Sequence, residues 1–338
     1  MPPRRQAGSI TGTVLVSAVL LAALLLGTTQ PSGAAPGPIA AADSATPTTA
    51  AAPSAPTEAG TLVTGSMRWE GRTRTYRIFV PAAYTPGTTA PLVVGLHGGF
   101  GSGAQFQRDN GLNQALSSRG VLGVFPDGVA GPVSGVRTWN AGNCCAYSQA
   151  ADVDDVGFIG ALVAKVERRY DIDPLRIYAL GHSNGAMLSY RLACELPGVF
   201  AAIAPVEGAI DNTHACRPRH RMNVLIIHGL RDRNVPYRGG VGTGYSQVDY
   251  ASVSEAVARW RRINHCEGPS LVTVEGDLRT KDAQGCDPDG AVRLQSLADG
   301  NHEWPGGADR AFIAGSPSDA LAATPTALDF FLAHPQTG

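Results

Sequence analysis

Short strand-like runs of apolar residues recur along this chain and alternate with segments whose apolar residues have helical spacing. Strands are predicted over 73–80, 91–97, 121–125, 176–180, 201–206, 224–227 and 292–297, and helices over 155–170, 186–194, 252–263 and 326–333. Continuous apolar runs such as 91–97 are typical of strands buried on both faces. The alternation predicts an α/β fold with a mostly parallel central sheet and helices on both faces.

The carboxyl ends of parallel strands are where such sheets place their sites. The sequence Gly181-His182-Ser183-Asn184-Gly185 directly follows the strand 176–180 and opens a helix. A G-x-S-x-G sequence in this context forms a sharp turn that lifts the serine hydroxyl out of the sheet. Ser183 is therefore the predicted nucleophile, and the alternative is a chance pentapeptide in a chain that has 41 Gly.

A serine hydroxyl needs a base, and the base needs a carboxylate to orient it. In this kind of fold the acid follows the serine along the chain and precedes the histidine. Asp232 lies just past the strand 224–227 and is the predicted acid, with a turn-forming aspartate as the alternative. Asp249 and Asp277 also lie between serine and histidine, but neither follows a buried strand so closely.

Three histidines that follow Asp232 are candidates for the base. His302 follows the strand 292–297 through a short glycine-containing loop and is the predicted base. His265, beside a cysteine at a helix end, and His334, in the C-terminal tail, are weaker candidates. His182 is interpreted as a structural neighbour because the base must approach the serine from another loop. His228 precedes the acid and is also interpreted as structural.

The negative oxygen of a tetrahedral intermediate needs hydrogen-bond donors that are fixed in advance. One predicted donor is the backbone N–H of Asn184, the residue after the nucleophile. The other is the N–H of Gly99, in the loop 97–101 that follows the strand 91–97. The alternative for this loop is an ordinary glycine turn.

These motifs occur in one order together with several others. The others are Trp139-Asn140 with Cys144-Cys145, the segment 154–159, Asp173-Pro174, Ala204-Pro205-Val206, Val235-Pro236-Tyr237 and the segment 302–307. From about residue 62 to its end, the chain resembles the secreted polyhydroxybutyrate depolymerase-like esterases, which include feruloyl esterases acting on plant cell-wall xylan. The resemblance implies an α/β-hydrolase fold with a triad at Ser183, Asp232 and His302.

Four aromatic residues lie in loops near the predicted site: Phe100, Trp139, Tyr237 and Trp304. Aromatic side chains there would stack on a feruloyl ring or line a cleft for a polyester chain. The alternative is that they fill the core beneath the loops. We expect the substrate to be an extracellular ester polymer or a polysaccharide-linked ester.

The predicted reaction needs neither a metal nor an organic cofactor. An acyl group is transferred to Ser183 with loss of the alcohol, and water activated by His302 then releases the acid. Two alternatives stay open at this point. One is an acyltransferase in which a sugar hydroxyl replaces water, and the other is a non-catalytic binding protein on a hydrolase scaffold.

The N-terminal segment indicates export. Arg4 and Arg5 precede an apolar run over 14–26, and small residues follow it, as in a secretory signal peptide. The run is too short to span about 30 Å of hydrocarbon comfortably, so a membrane anchor is disfavoured. We expect a cleaved signal peptide over 1–34, a disordered linker over 35–59 and one catalytic domain over 60–338.

Six cysteines in an exported chain are expected to pair. Cys194 and Cys216 bracket one strand region and Cys266 and Cys286 bracket another, which favours those two disulfides. The adjacent Cys144 and Cys145 would need a strained bridge, because consecutive Cα atoms are only about 3.8 Å apart. Their pairing stays open at this point.

The charge balance excludes a nucleic-acid partner that would be bound through a broad basic surface. There are 27 basic and 28 acidic residues, and the net charge is -1. Such a chain cannot neutralise many phosphates.

We expect the protein to be a monomer.

Overall fold

The structure is a computed structural model that describes residues 60–132, 135–196, 198–218, 220–244, 246–309 and 316–337. The predicted signal peptide and linker lie outside these residues. The strands are β1 Gly60–Trp69, β2 Arg72–Pro81, β3 Ala90–Leu96, β4 Leu122–Pro126, β5 Val129–Ala130, β6 Arg137–Thr138, β7 Ile172–His182, β8 Ala202–Val206, β9 Asn223–Gly229, β10 Gly240–Val241, β11 Asp249–Tyr250, β12 Gly268–Glu275, β13 Leu278–Gln284 and β14 Val292–Leu297. The helices are α1 Gly103–Asp109, α2 Leu112–Ser117, α3 Ala146–Ala150, α4 Asp155–Glu167, α5 Asn184–Glu195, α6 Val253–Ile263 and α7 Ala323–Ala333.

Ten of these strands form one sheet in the order β1-β2-β4-β3-β7-β8-β9-β14-β13-β12. The six strands from β4 to β14 in this order pair parallel, and the two strands at each end of the sheet are antiparallel. The prediction of a mostly parallel central sheet is therefore confirmed, and the arrangement is that of an α/β hydrolase.

Helices cover both faces of the sheet because successive residues of each strand point to opposite sides. In β9, Val224 and Ile226 belong to one buried cluster, whereas Leu225 and Ile227 belong to the other. The first cluster includes the apolar faces of α4, α5 and α6, and the second includes those of α1, α2 and α7. Burial on both faces explains why the central strands are apolar at nearly every position.

The sequence patterns did not predict several outer elements. Strand β1 is mostly exposed, and two of its positions are Gly60 and Gly65, where a Cβ would collide with the Phe79 and Tyr76 side chains of β2. The residue types in β1 therefore depend on the side chains of β2, and they do not form a continuous apolar run. The helices α1, α2 and α3 have five to seven residues, which is too short for a helical period to be recognised.

The structure contains three disulfides. Cys194 pairs with Cys216 and Cys266 pairs with Cys286, as the bracketed strand regions favoured. The remaining pair, left open by the sequence, joins the neighbours Cys144 and Cys145.

Within the described ranges, every helix is too short or too polar to cross a bilayer.

Candidate active site

The predicted nucleophile lies at the turn between β7 and α5. Ser183 has φ 53° and ψ -119°, a backbone conformation that non-glycine residues rarely adopt. The turn is tight enough that a Cβ at Gly181 would overlap the backbone of Gly185, and a Cβ at Gly185 would overlap the carbonyl oxygen of Leu96. Both glycines of the motif are therefore required for the serine to be presented at the carboxyl edge of the sheet.

His302 reaches Ser183 from the loop after β14. Its Nε2 lies 2.8 Å from Oγ of Ser183, and its side chain is 13% exposed. The loop is tied back to the chain after β9, because the N–H of Arg231 donates to the carbonyl of Gly300. The Asn301 side chain accepts a hydrogen bond from the N–H of Glu303. These contacts fix the direction of the imidazole.

Asp232 lies on the other side of the same imidazole, with Oδ2 2.8 Å from Nδ1 of His302. Its Oδ1 accepts hydrogen bonds from the N–H groups of Asn234 at 2.8 Å and Val235 at 2.9 Å. Burial disfavours the charged carboxylate, but attraction to His302 and hydrogen bonds from His228 and His302 outweigh burial and lower the pKa of Asp232 below its usual range. Asp232 is therefore ionised at neutral pH.

Two backbone N–H groups are available near the serine. The N–H of Asn184 is at the first turn of α5, where helices leave donors without an intrahelical acceptor. Gly99 lies beside it, since a Cβ on Gly99 would be 4.0 Å from Cβ of Asn184. Among the described residues neither N–H has an acceptor. The structure thus brings together the two donors that the sequence predicted.

A buried histidine shapes the loop that carries Gly99. Nδ1 of His97 donates to the carbonyl of Gly98 at 2.7 Å, and Nε2 accepts from the N–H of Gly128 at 2.9 Å. Burial lowers the pKa of His97 to about 4, so the ring is neutral and can both donate and accept. The carbonyl of His97 also accepts a hydrogen bond from the Trp139 indole at 2.9 Å.

His182, inside the serine motif, is not oriented as a base. Its Nε2 lies 3.1 Å from the backbone carbonyl of His302, which fixes that nitrogen as the donor. Burial, and then repulsion by His302, lower the pKa of His182 to about 3. His182 is therefore a neutral, hydrogen-bonding neighbour, as the sequence analysis interpreted it.

The four aromatic residues predicted to contact substrate separate into two groups. Phe100 is 61% exposed beside Gly99, and Tyr237 is half-buried with its hydroxyl 2.8 Å from Oγ of Ser296. Trp139 is fully buried and Trp304 is nearly so. A side chain without exposed surface cannot stack on a bound ring, so the expectation that Trp139 and Trp304 contact substrate is corrected: both fill the core beneath the loops.

Trp139 instead supports the nucleophile turn through its backbone. Its N–H donates to Oδ1 of Asn184 at 2.7 Å, and its carbonyl accepts from Nδ2 of Asn184 at 3.1 Å. The next residue, Asn140, donates its N–H to the buried carboxylate of Asp155, which pairs with Arg74 at 2.6 Å. This network joins α4, α5 and the loop that follows β6.

Within the described ranges, one group of side chains has the proximity of a metal site: Glu207, His228 and Asp232. However, Nε2 of His228 is 2.9 Å from the carbonyl of Val235, so this nitrogen carries its hydrogen and has no lone pair for a cation. Asp232 already faces His302. The three residues therefore do not fit a metal ion.

Sequence reasoning missed Glu207. It follows β8 directly and is fully buried against Asp232 and His228. A carboxylate at the carboxyl end of a buried parallel strand is the same signal that located Asp232. Applied to β8, that signal would have found Glu207 as well.

Comparisons with known proteins give a consistent family. The family model described as "Esterase PHB depolymerase" matches residues 75–235. "Feruloyl esterase B" of Piromyces equi is 29% identical over 203 residues, which cover 58% of this chain and 37% of that protein. The protein named "Putative esterase NocK" of Nocardia uniformis subsp. tsuyamanensis is 31% identical over 281 residues, which cover 78% of this chain and 80% of that protein.

Solved structures agree on the fold. An acetyl xylan esterase from Aspergillus awamori aligns with a TM-score of 0.51 at 16% identity, covering 68% of this chain and 89% of that one. An S-formylglutathione hydrolase from Agrobacterium tumefaciens aligns with a TM-score of 0.52 at 12% identity, covering 82% and 97%. At these identities the likeness concerns the α/β-hydrolase fold alone.

Proposed function

Because the chain belongs to the family of PHB depolymerase-like and feruloyl esterases, we propose that it is a serine carboxylic ester hydrolase. The observation that supports this most strongly is the continuous chain of hydrogen bonds from Oγ of Ser183 through His302 to Asp232, with 2.8 Å at each step. An imidazole placed between a hydroxyl and a buried carboxylate is the arrangement that activates a serine for attack on an acyl carbon.

The proposed reaction has two halves. In the first, Nε2 of His302 accepts the hydroxyl proton as Oγ of Ser183 attacks the ester carbon, and it then gives that proton to the departing alcohol oxygen. In the second, His302 takes a proton from water, the hydroxide attacks the acyl-enzyme, and the acid leaves as Ser183 regains its proton. Asp232 stabilises the imidazolium in both halves.

The N–H groups of Gly99 and Asn184 hold the negative oxygen of each tetrahedral intermediate. Both are backbone donors in rigid surroundings, one ordered by His97 and the other by the start of α5. Such donors do not reorganise when charge develops, and losing one typically costs about 2.7–4 kcal/mol of transition-state stabilisation. All the groups that this hydrolysis requires come from the chain itself and from water.

We further propose that the substrate is an ester of an acylated plant polysaccharide, encountered outside the cell after export. The names of two relatives favour it: "Feruloyl esterase B" of Piromyces equi and "Bifunctional acetylxylan esterase/xylanase XynS20E" of Neocallimastix patriciarum. The exposed ring of Phe100, next to Gly99, is available to contact the acyl group or the sugar to which it is attached.

The test is a parallel hydrolysis assay of wild type and Ser183→Ala on methyl ferulate, acetylated xylan and a hydroxybutyrate film. We expect turnover of at least one plant-type ester by wild type, and a loss of at least about 10⁴-fold in Ser183→Ala with an unchanged circular dichroism spectrum. A folded Ser183→Ala that retains most activity would contradict the nucleophile assignment. Turnover of the hydroxybutyrate film alone would contradict the substrate class, and acyl transfer to an added alcohol without hydrolysis would favour the acyltransferase.

A further inference from the structure

A second carboxyl group is buried directly behind the proposed triad. Glu207 follows β8 and has no exposed surface. Its two oxygens share one backbone donor, the N–H of Gly229, at 2.9 and 3.0 Å. Among the ion pairs of the described residues, none joins Glu207 to an arginine or a lysine, and its one basic neighbour is His228, with Nε2 3.5 Å from Oε2 of Glu207. A buried carboxylate with so little support is costly to ionise.

Glu207 and Asp232 lie close together. One oxygen of each carboxyl and one nitrogen of His228 lie within 4.8 Å of one another, and neither carboxyl side chain has exposed surface. Two negative charges this close in a buried site repel each other, so the arrangement favours one proton on the pair. A protonated carboxyl group is also a hydrogen-bond donor, which the other carboxylate can accept.

The surroundings decide which residue carries the proton. Asp232 accepts hydrogen bonds from two backbone N–H groups and from His302, whereas Glu207 accepts from the N–H of Gly229. Nε2 of His228 lies near both carboxyl groups, 3.3 Å from Asp232 and 3.5 Å from Glu207, so it hardly distinguishes them. The negative charge is better supported on Asp232, so the proton resides on Glu207. In agreement, burial and then repulsion by Asp232 raise the pKa of Glu207 well above its ordinary value.

We propose that Glu207 is a positioning residue whose protonated carboxyl donates a hydrogen bond to Asp232 and keeps the negative charge of the pair on the carboxylate that faces His302. This inference rests on the proposed function, because it assigns Glu207 a task in the same reaction. The titratable groups that face Glu207 are Asp232 and His228. Beyond them lie His302, on the far side of Asp232, and the Tyr237 ring, which packs against His228.

The experiment compares Glu207→Gln with Glu207→Met, two side chains of nearly the same length. Glutamine is neutral and keeps both a donor for Asp232 and an acceptor for Gly229, so it should retain kcat within about threefold. Methionine removes the donor, and we expect kcat to fall roughly 10- to 100-fold with KM changed less than twofold. It should also move the acid limb of kcat/KM up by about 0.5 pH unit, because a less stabilised Asp232 holds the proton of His302 more tightly.

Asp211→Asn is the matched control. Asp211 is another buried acid after β8, but its carboxylate contacts Thr213 and His214 instead of Asp232. We expect this variant to lower thermal stability without moving the acid limb. If kcat falls as far in Glu207→Gln as in Glu207→Met, then the charge of Glu207 rather than a hydrogen-bond donor is required, and the proposal is wrong. A Glu207→Met variant with the kcat and pH profile of wild type would also overturn it.

A second measurement does not depend on the folding of the methionine variant. The infrared difference spectrum of wild type minus Glu207→Gln at pH 7 should contain the carbonyl band of a protonated carboxyl group, because other protonated carboxyl groups such as Glu303 are present in both proteins and cancel. A difference spectrum without the band would overturn the proposal. The labelling of wild-type Ser183 by a fluorophosphonate separates this inference from the proposed function. If wild type is active and labelled while Glu207→Met has unchanged kinetics, the proposed role of Glu207 is refuted and the proposed function is not.

Discussion

The histidines of the site have different roles because their surroundings differ. His97 and His182 are buried without a carboxylate partner, and burial lowers their pKa values to about 4 and about 3. His302 instead has Asp232 on its inner side and the Ser183 hydroxyl on its outer side. The same side chain thus serves as a neutral support at two positions and as the proposed base at the third.

A carboxyl beside the proposed base should make the stability of the protein depend on pH. Burial, more than repulsion by Asp309, raises the pKa of Glu303 from 4.5 to about 7, against the attraction of His302. Because the folded-state pKa is raised, the stabilising contribution of this carboxyl is complete below about pH 4.5 and is lost as the pH rises towards about 7.

We therefore expect the free energy of unfolding of Glu303→Gln, relative to that of wild type, to increase as the pH rises. The difference in free energy of unfolding between the variant and wild type should increase by roughly 2 kcal/mol between pH 4 and pH 8, since glutamine has no charge to bury. Urea denaturation at several pH values measures it. A difference that is the same at all pH values, or that decreases as the pH rises, would show that Glu303 does not titrate in this way.

At the scale of elements, the turn between β7 and α5 holds the proposed nucleophile in a strained backbone conformation. Ser183 is held at positive φ because β7 pairs with β8 up to His182 and α5 begins at Asn184. Gly181 leaves room for the backbone at the start of α5, and Gly185 leaves room for the backbone at the end of the neighbouring strand β3. Strand, turn and helix therefore form one unit whose packing determines the position of the hydroxyl.

Alanine substitutions at two glycines test this packing. Gly185→Ala would place a methyl group against the backbone of Leu96, and we expect it to destabilise the protein by roughly 3 kcal/mol. In Gly160→Ala, within α4, the new methyl group meets only the Leu196 side chain at ordinary contact distance, 3.5 Å. This control should gain roughly 0.5–1 kcal/mol from higher helix propensity. Equal effects in thermal denaturation would contradict the described turn.

At the scale of the whole molecule, the parallel centre of the sheet brings distant parts of the chain to one edge. β7, β9 and β14 supply Ser183, Asp232 and His302 just past their carboxyl ends. The chain separations are 119 residues between Ser183 and His302 and 70 between Asp232 and His302. Only the fold can hold Ser183 and Asp232 each 2.8 Å from a nitrogen of the His302 ring.

The centre of the sheet was predictable from sequence because its strands are buried on both faces and therefore apolar throughout. The residues after these strands could be located for the same reason. The outer strands were harder: β12 is mostly exposed, with Val274 at 65%, so burial imposes no pattern on its sequence. For such strands the pairing partner, rather than the residue types, determines the structure.

Side-chain depth was the other limit of prediction. The sequence placed Trp139 and Phe100 in loops near the site but could not tell the buried ring from the exposed one, because the burial of a loop residue depends on tertiary packing. Glu207 was missed although it follows a buried strand. Its proposed role depends on its proximity to Asp232, and that proximity exists only once β8 and β9 are neighbours.

The most direct test of the account is covalent labelling of the wild-type protein with a fluorophosphonate, followed by mass spectrometry of the intact chain and of its peptides. We predict one adduct, located on Ser183, and much slower labelling of His302→Gln at the same pH. A folded wild-type protein that forms no adduct, or one that is modified at a different residue while Ser183 stays free, would contradict it.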